Sequence, residues 1–185
     1  MRTVEEAEPP FLLIEKGQVF APKELGKQNV LICHDKIVSI GGDQSALLKA
    51  LGNVRRLDAT GKFVMPGFID GHLHFLGAGD FDGPLGRVPE LHISSITRGG
   101  VTSAVGLLGV DMDSKNLHSL LVKAHELERM GLTTYIYTGS FQIPSPHLTS
   151  SVRADLFIKS TLRFSSVTTA PSSISSITTS SFSFS

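Results

Sequence analysis

The stretch Phe63-Val64-Met65-Pro66-Gly67-Phe68-Ile69-Asp70-Gly71-His72-Leu73-His74 decides how the rest of the chain is read. It is an apolar run with strand character that delivers two histidines, one residue apart, just before Gly77-Ala78-Gly79. Side chains alternate across a strand, so His72 and His74 are expected on one face, a few ångströms apart, within reach of one metal ion. Asp70 shares that face and spacing and is expected to orient a ligand from behind. A bare His-x-His is more often a strand end with two unrelated histidines, so the flanking residues carry the decision.

Upstream, residues 1–10 read as a loose acidic leader closed by Pro9-Pro10. Residues 11–14 and, beyond Gly17, 18–20 have strand character. Residues 29–33 and 36–41 read as two strands joined at His34-Asp35, a hairpin by spacing and turn residues. His34 is then a turn residue with no second ligand near it. A short helix over Ser45–Leu51 is stopped by Gly52, and Arg55–Asp58 leads into the Ala59-Thr60-Gly61-Lys62 turn. Residues 11–62 thus read as one β-rich stretch.

Downstream of the histidines, Gly77-Ala78-Gly79-Asp80-Phe81-Asp82-Gly83-Pro84 is a glycine-rich loop that either merely links strand to helix or brings its backbone close to a substrate, with Gly79 and Asp80 as the candidate substrate contacts on the second reading. Pro89 followed by Leu91, Ile93 and Ile96 fits a helix with an apolar stripe, ending at Gly99-Gly100 and leaving His92 and Arg98 on the surface. Residues 101–108 are strongly β, and Asp111 follows as a turn-initiating carboxylate first and a functional group second. Leu117, Leu120, Leu121, Ala124 and Leu127 recur at helical spacing within 114–130, with Gly131 at the C-cap position. His118 and His125, two turns apart on that helix, are too far apart to share an ion. Residues 133–137 make a third strand, and the strand–helix alternation predicts an α/β fold with a parallel sheet.

Pro-Gly-Phe-Ile-Asp-Gly-His-Leu-His, at 66–74, resembles the signature that opens the first barrel strand of the amidohydrolase superfamily of metal-dependent hydrolases. Arg98-Gly99-Gly100-Val101-Thr102-Ser103-Ala104-Val105-Gly106-Leu107-Leu108-Gly109 and Tyr137-Thr138-Gly139-Ser140-Phe141-Gln142-Ile143-Pro144-Ser145 resemble one branch of it, the isoaspartyl (β-aspartyl) dipeptidases. The resemblance covers about Phe11 to Ile158. It implies an incomplete TIM-like (β/α)8 barrel, the first three or so βα units over 63–158, preceded over 11–62 by the N-terminal part of the family's small β domain. A full barrel takes about 200–250 residues, more than this chain of 185 has room for. The resemblance also implies a binuclear zinc centre of which His72 and His74 are at most a half-site. The bridging lysine, two further histidines and a proton-shuttling aspartate would come from later strands, and neither Lys62 nor Lys159 is assigned as that bridge. Two positions depart from the dipeptidase branch: Phe81 stands where a substrate-binding glutamate is expected, flanked by Asp80 and Asp82, and Phe141 where a hydroxyl-bearing tyrosine is expected.

Composition narrows the partners. Lys plus Arg and Asp plus Glu are 17 each, which gives no charge argument for nucleic acid or an anionic membrane surface. A small, neutral or zwitterionic, dipeptide-like substrate is compatible. The single Cys33 excludes an internal disulfide, no apolar run approaches the ~18–20 residues of a membrane span, and the acidic start is unlike a signal peptide, so a cytoplasmic protein is expected. Residues 159–185 change character: from 160 onward there are 11 Ser and 5 Thr and one charge, Arg163. That composition reads as a disordered or aberrant tail. The expectation is therefore a truncated, inactive member of the superfamily, with a family-type homo-oligomer open only to a complete chain. A non-catalytic binding module and a dihydropyrimidinase- or dihydroorotase-like cyclic amidohydrolase are the alternatives.

Overall fold

The computed structural model describes residues 9–79 and 84–157. The chain divides into two compact units, Met1–Pro66 and Gly67–Ser185.

The first unit is built on β1 (Phe11–Phe20), which pairs antiparallel with β2 (Glu24–Cys33), itself paired antiparallel with β3 (Lys36–Ile40). His34 takes φ +51 in the connecting turn, so it is the turn residue its position suggested. A register shift between Ile14 and Gly17 interrupts β1, and Lys16 there takes φ +61. Past a short helix, α1 (Ser45–Leu51), two strands run parallel along the other edge of β1: β4 (Arg55–Asp58) and β5 (Phe63–Val64). A Cβ on Gly17 would lie 2.4 Å from Val64 Cγ2, so the bare backbone of Gly17 is what lets β5 approach. Leu13, Val19, Val30 and Leu31 are buried in this unit.

The apolar run beginning at Phe63 is therefore not one strand. Phe63 and Val64 pair with Gln18 and Val19, and the second unit begins with β6 (Phe68–Leu73). Pro66 offers no N–H to a ladder, and Gly67 lies so close to Thr102 that a Cβ would fall 2.1 Å from its hydroxyl oxygen. The break at Pro66-Gly67 thus assigns 63–64 to the small β unit rather than to the barrel-type segment.

In the second unit β6, β7 (Val101–Gly106) and β8 (Thr133–Ile136) form a parallel sheet in that order, with Asp70 opposite Ala104 and Ala104 opposite Thr134. Each crossover carries a helix: α2 (Ile93–Thr97) before β7 and α3 (Leu117–Arg129) before β8. α3 buries Leu117, Leu120, Ala124 and Leu127, the stripe read from the sequence. It starts later than expected because Asn116 is the N-cap, its side chain accepting the Ser119 N–H at 2.9 Å. Gly131 closes it with φ +99.

α2 is also shorter than its apolar spacing suggested. Val88 N–H donates to the Ala78 carbonyl (2.7 Å) and Leu91 N–H to that of Phe75 (3.0 Å), so residues 88–91 pair with the segment after the histidines instead of turning helically. His92 then caps α2, accepting the Ser94 N–H. Gly77 makes the contact possible: at φ +74, a Cβ would lie 2.1 Å from the Val88 carbonyl oxygen. Phe75, fully buried, lies over Gly106, whose missing side chain leaves room for the ring. Among the described residues no helix is long and apolar enough to cross a membrane.

Candidate metal and substrate site

A parallel sheet puts all its carboxyl-terminal strand ends on one side, and the polar residues of the second unit gather past those ends. His72 lies in β6 and His74 one residue beyond it. Their ring centroids are 5.2 Å apart with the planes at 80°. His72 is exposed and His74 half-buried, and the buried Nδ1 of His74 has no hydrogen-bond partner among the described residues. Burial, followed by the neighbouring His72, holds the His74 pKa below the usual imidazole value, although the Leu107 backbone and Asp111 oppose this. The neutral imidazole favoured there is the form that ligates a metal. Two adjacent imidazoles, one with an unspent buried nitrogen, fit as two of the four ligands of a zinc ion. Among the described residues no group of three or more His, Cys, Asp or Glu side chains is placed to hold an ion.

Asp70 does not act on either ring in the way its spacing suggested. Its Oδ1 accepts the backbone N–H of His72 at 3.0 Å, so it shapes the strand end rather than orienting an imidazole. The register shift between Asp70 and Leu73 is the physical reason, because strict alternation fails just where the side chains were expected to line up. Tyr137 reaches the same stretch, its hydroxyl donating to the Gly71 carbonyl at 3.3 Å.

Of the candidate substrate contacts, Gly79 is described and Asp80 lies outside the described residues, as does Phe81. The space above Gly79 is filled by Asp111, whose Cβ and Cγ would be 2.6 and 2.9 Å from an added Cβ. Asp111 does initiate a turn, its carbonyl accepting the Ser114 N–H at 3.1 Å. Its carboxylate does more. Oδ2 lies 3.1 Å from Lys115 Nζ, 4.0 Å from Arg87 Nε and 3.2 Å from Ser114 Oγ, while the buried Oδ1 has no partner among the described residues. Burial pushes this carboxyl up, but the Lys115 ammonium and the Ser114 hydroxyl outweigh it and hold the pKa below the usual value.

The loop after β8 is held by a residue the sequence did not flag. Asp155, on the short helix α4 (Val152–Phe157), is fully buried, and its carboxylate accepts hydrogen bonds from the Thr138 and Thr149 hydroxyls and from the N–H groups of Leu148 (2.9 Å) and Thr149 (2.8 Å). Burial raises its pKa, and these donors more than offset that and lower it. The loop it pins carries Phe141, exposed and without a hydroxyl to donate. The lone carboxylate inside Val-Arg-Ala-Asp-Leu-Phe was the available signal, and nothing local marked its partners. The tail 159–185 and the leader up to residue 8 lie outside the described residues.

With this geometry in hand, comparison with known proteins is specific. The chain is 37% identical to the β-aspartyl dipeptidase of the thermophilic, keratin-degrading Fervidobacterium islandicum AW-1 and superposes on it with a TM-score of 0.74, over 82% of this chain and 41% of that one. The complex of that dipeptidase with a β-Asp-Leu dipeptide gives 0.72 over 84% of this chain and 39% of the other. The chain belongs to the amidohydrolase superfamily. Its parallel sheet is accordingly the part of a TIM-type barrel formed by three consecutive strands. Among curated relatives, an imidazolonepropionase of Streptomyces avermitilis is 32% identical over 112 residues, 56% of this chain and 26% of that protein. An L-hydantoinase of Paenarthrobacter aurescens is 26% identical over 129 residues, 69% of this chain and 27% of that protein. The chain thus spans about a quarter of the length of these curated relatives. No protein-family model matches it.

Proposed function

We propose that the chain carries the first metal-binding and substrate-facing segment of a metal-dependent hydrolase that cleaves β-aspartyl dipeptides or a related C–N amide bond. The observation that carries this reading is the His72/His74 pair, with the unpartnered Nδ1 of His74, in a chain 37% identical to a β-aspartyl dipeptidase. His72 and His74 would hold a zinc ion, which when bound supplies a hydroxide nucleophile and polarises the amide carbonyl. The chain's own residues do the rest of the positioning: Asp70 fixes the His72 backbone, Tyr137 ties the β8 end to Gly71, and Asp155 fixes the loop bearing Phe141. Phe141 offers no donor to a developing oxyanion, and a donor of that kind is typically worth about 10²–10³ in rate. With two imidazoles and no third acidic or histidine ligand beside them among the described residues, the 185-residue chain alone is expected to bind without turning over.

The test is binding of β-Asp-Leu to the zinc-loaded chain, compared with α-Asp-Leu and hydantoin by calorimetry. Preference for β-Asp-Leu, lost in His72→Ala/His74→Ala, is the expected result. Tighter binding of hydantoin would move the assignment to the cyclic-amide reading, which the likeness to an L-hydantoinase supports. Binding of none of the three would favour the non-catalytic module.

A further inference from the structure

The second unit holds a cleft of about 490 Å³ whose walls include Leu76, Arg87, Val88, Pro89, Ser114 and Lys115, a volume in the range of small-molecule sites. Nothing derived so far uses it. Two of its wall side chains, Arg87 and Lys115, are cations. Asp111 is one carboxylate facing two cations, Lys115 Nζ at 3.1 Å and Arg87 Nε at 4.0 Å. Glu90, also on the wall, lies 3.4 Å from Lys123, an ammonium that Glu126 shares at 3.0 Å.

Lys115 is the decisive residue. Its side chain is nine-tenths buried, 10% exposed, yet it lines the cleft. Its ammonium pairs with Asp111 at 3.1 Å, and among the described residues it finds no further acceptor, so N–H donors are left over. A buried ammonium with unspent donors is costly unless something accepts them. The hydroxyls of Ser114 and Ser119, which donate to Asp111 and Asn116 at 3.2 Å each, do not accept from it either. Arg87, about half exposed at the mouth, adds a planar fork that suits a carboxylate.

We infer that this cleft is a carboxylate-binding subsite, in which Lys115 and Arg87 receive the free carboxylate of a small amino-acid- or peptide-like ligand. The inference deepens the proposed function, since a β-aspartyl dipeptide carries free carboxylates, and rests on that reading only for the identity of the ligand. Recognition of the carboxylate itself needs neither metal nor turnover.

The test uses the metal-free chain and N-acetylglycine, which has one carboxylate and no ammonium, followed by ligand-observed NMR. N-acetylglycine amide is the neutral control and inorganic phosphate the rival anion. The expected result is binding of N-acetylglycine that weakens with salt, falls at least about tenfold in Lys115→Gln and in Arg87→Gln, and survives in His72→Ala/His74→Ala. Arg87→Gln changes a half-exposed side chain, so it keeps the test valid if the Lys115 variant fails to fold. Equal binding of acid and amide, binding unchanged by Arg87→Gln, or phosphate bound tighter than N-acetylglycine would each overturn the inference. Retained N-acetylglycine binding with no preference for β-Asp-Leu would sink the proposed substrate and leave the subsite standing.

Discussion

The two units spend their polar side chains differently. In Met1–Pro66 they serve exposed turns: Asp58 accepts the Thr60 N–H at 2.9 Å, and Asp43 that of Ser45 at 2.9 Å. Gln44, buried and bonded to Ser39 at 2.7 Å, is an exception. In Gly67–Ser185 polar groups sink past the ends of parallel strands: His74 after β6, Asp111 after β7, Thr138 after β8, with Asp155 closing from α4. The contrast follows from the connections. The first unit, antiparallel along β1, β2 and β3 with β4 and β5 parallel to β1, is joined by short surface turns that need little buried polarity. Parallel strands send every carboxyl end to one side, where longer loops must be pinned and where a ligand finds converging groups.

If the buried polar layer rests on a rigid floor, Phe75 is that floor, fully buried between the strand end and Gly106. Phe75→Ala is expected to cost about 4 kcal/mol, read as a lowered denaturant midpoint. A cost below about 1 kcal/mol would show the second unit to be loosely packed.

Asp155→Asn sharpens the comparison next. It removes the charge from a buried carboxylate with four donors aimed at it, and about 3 kcal/mol is expected. The pH dependence has a definite sign. Because the folded pKa lies below the ordinary value of 3.8, the stabilisation is present above 3.8 and is lost as pH falls through the lower folded value. Denaturant midpoints measured from neutral pH down to the carboxylate range should converge for wild type and Asp155→Asn at the acid end. Parallel curves would remove Asp155 from the account.

How much of this was legible beforehand follows from the range of the interactions. The hairpin at His34-Asp35, the α3 stripe and the paired histidines are local patterns of turn chemistry or periodicity, and they are visible in a few consecutive residues. Phe63–Val64 could not be assigned from its own residues, because its partners Gln18 and Val19 lie far back in the chain. Residues 88–91 satisfied a helical spacing, yet the carbonyls of Phe75 and Ala78 took the N–H groups a helix would have used. Asp70 was misread because a register shift defeats alternation. Lys115 stands four residues after Asp111, a helical pairing distance, but the cleft it lines comes from Arg87 and its neighbours on another loop.

Smaller effects are expected at the edges of the comparison. Gly79→Ala places a methyl group against Asp111 and should cost about 2 kcal/mol while disturbing the cleft, visible as weakened N-acetylglycine binding. Arg56→Ala, which breaks the exposed pair with Glu15 at 2.8 Å in the first unit, should stay within about 0.5 kcal/mol of wild type in the same denaturation assay.

The central claim is that His72 and His74 form a half-site for metal, and zinc titration of the purified chain followed by calorimetry tests it most directly. The account expects one weakly bound zinc per chain, lost in His72→Ala and in His74→Ala and unaffected by Arg87→Gln. Zinc bound tightly and unchanged in the His72→Ala/His74→Ala double variant would contradict it.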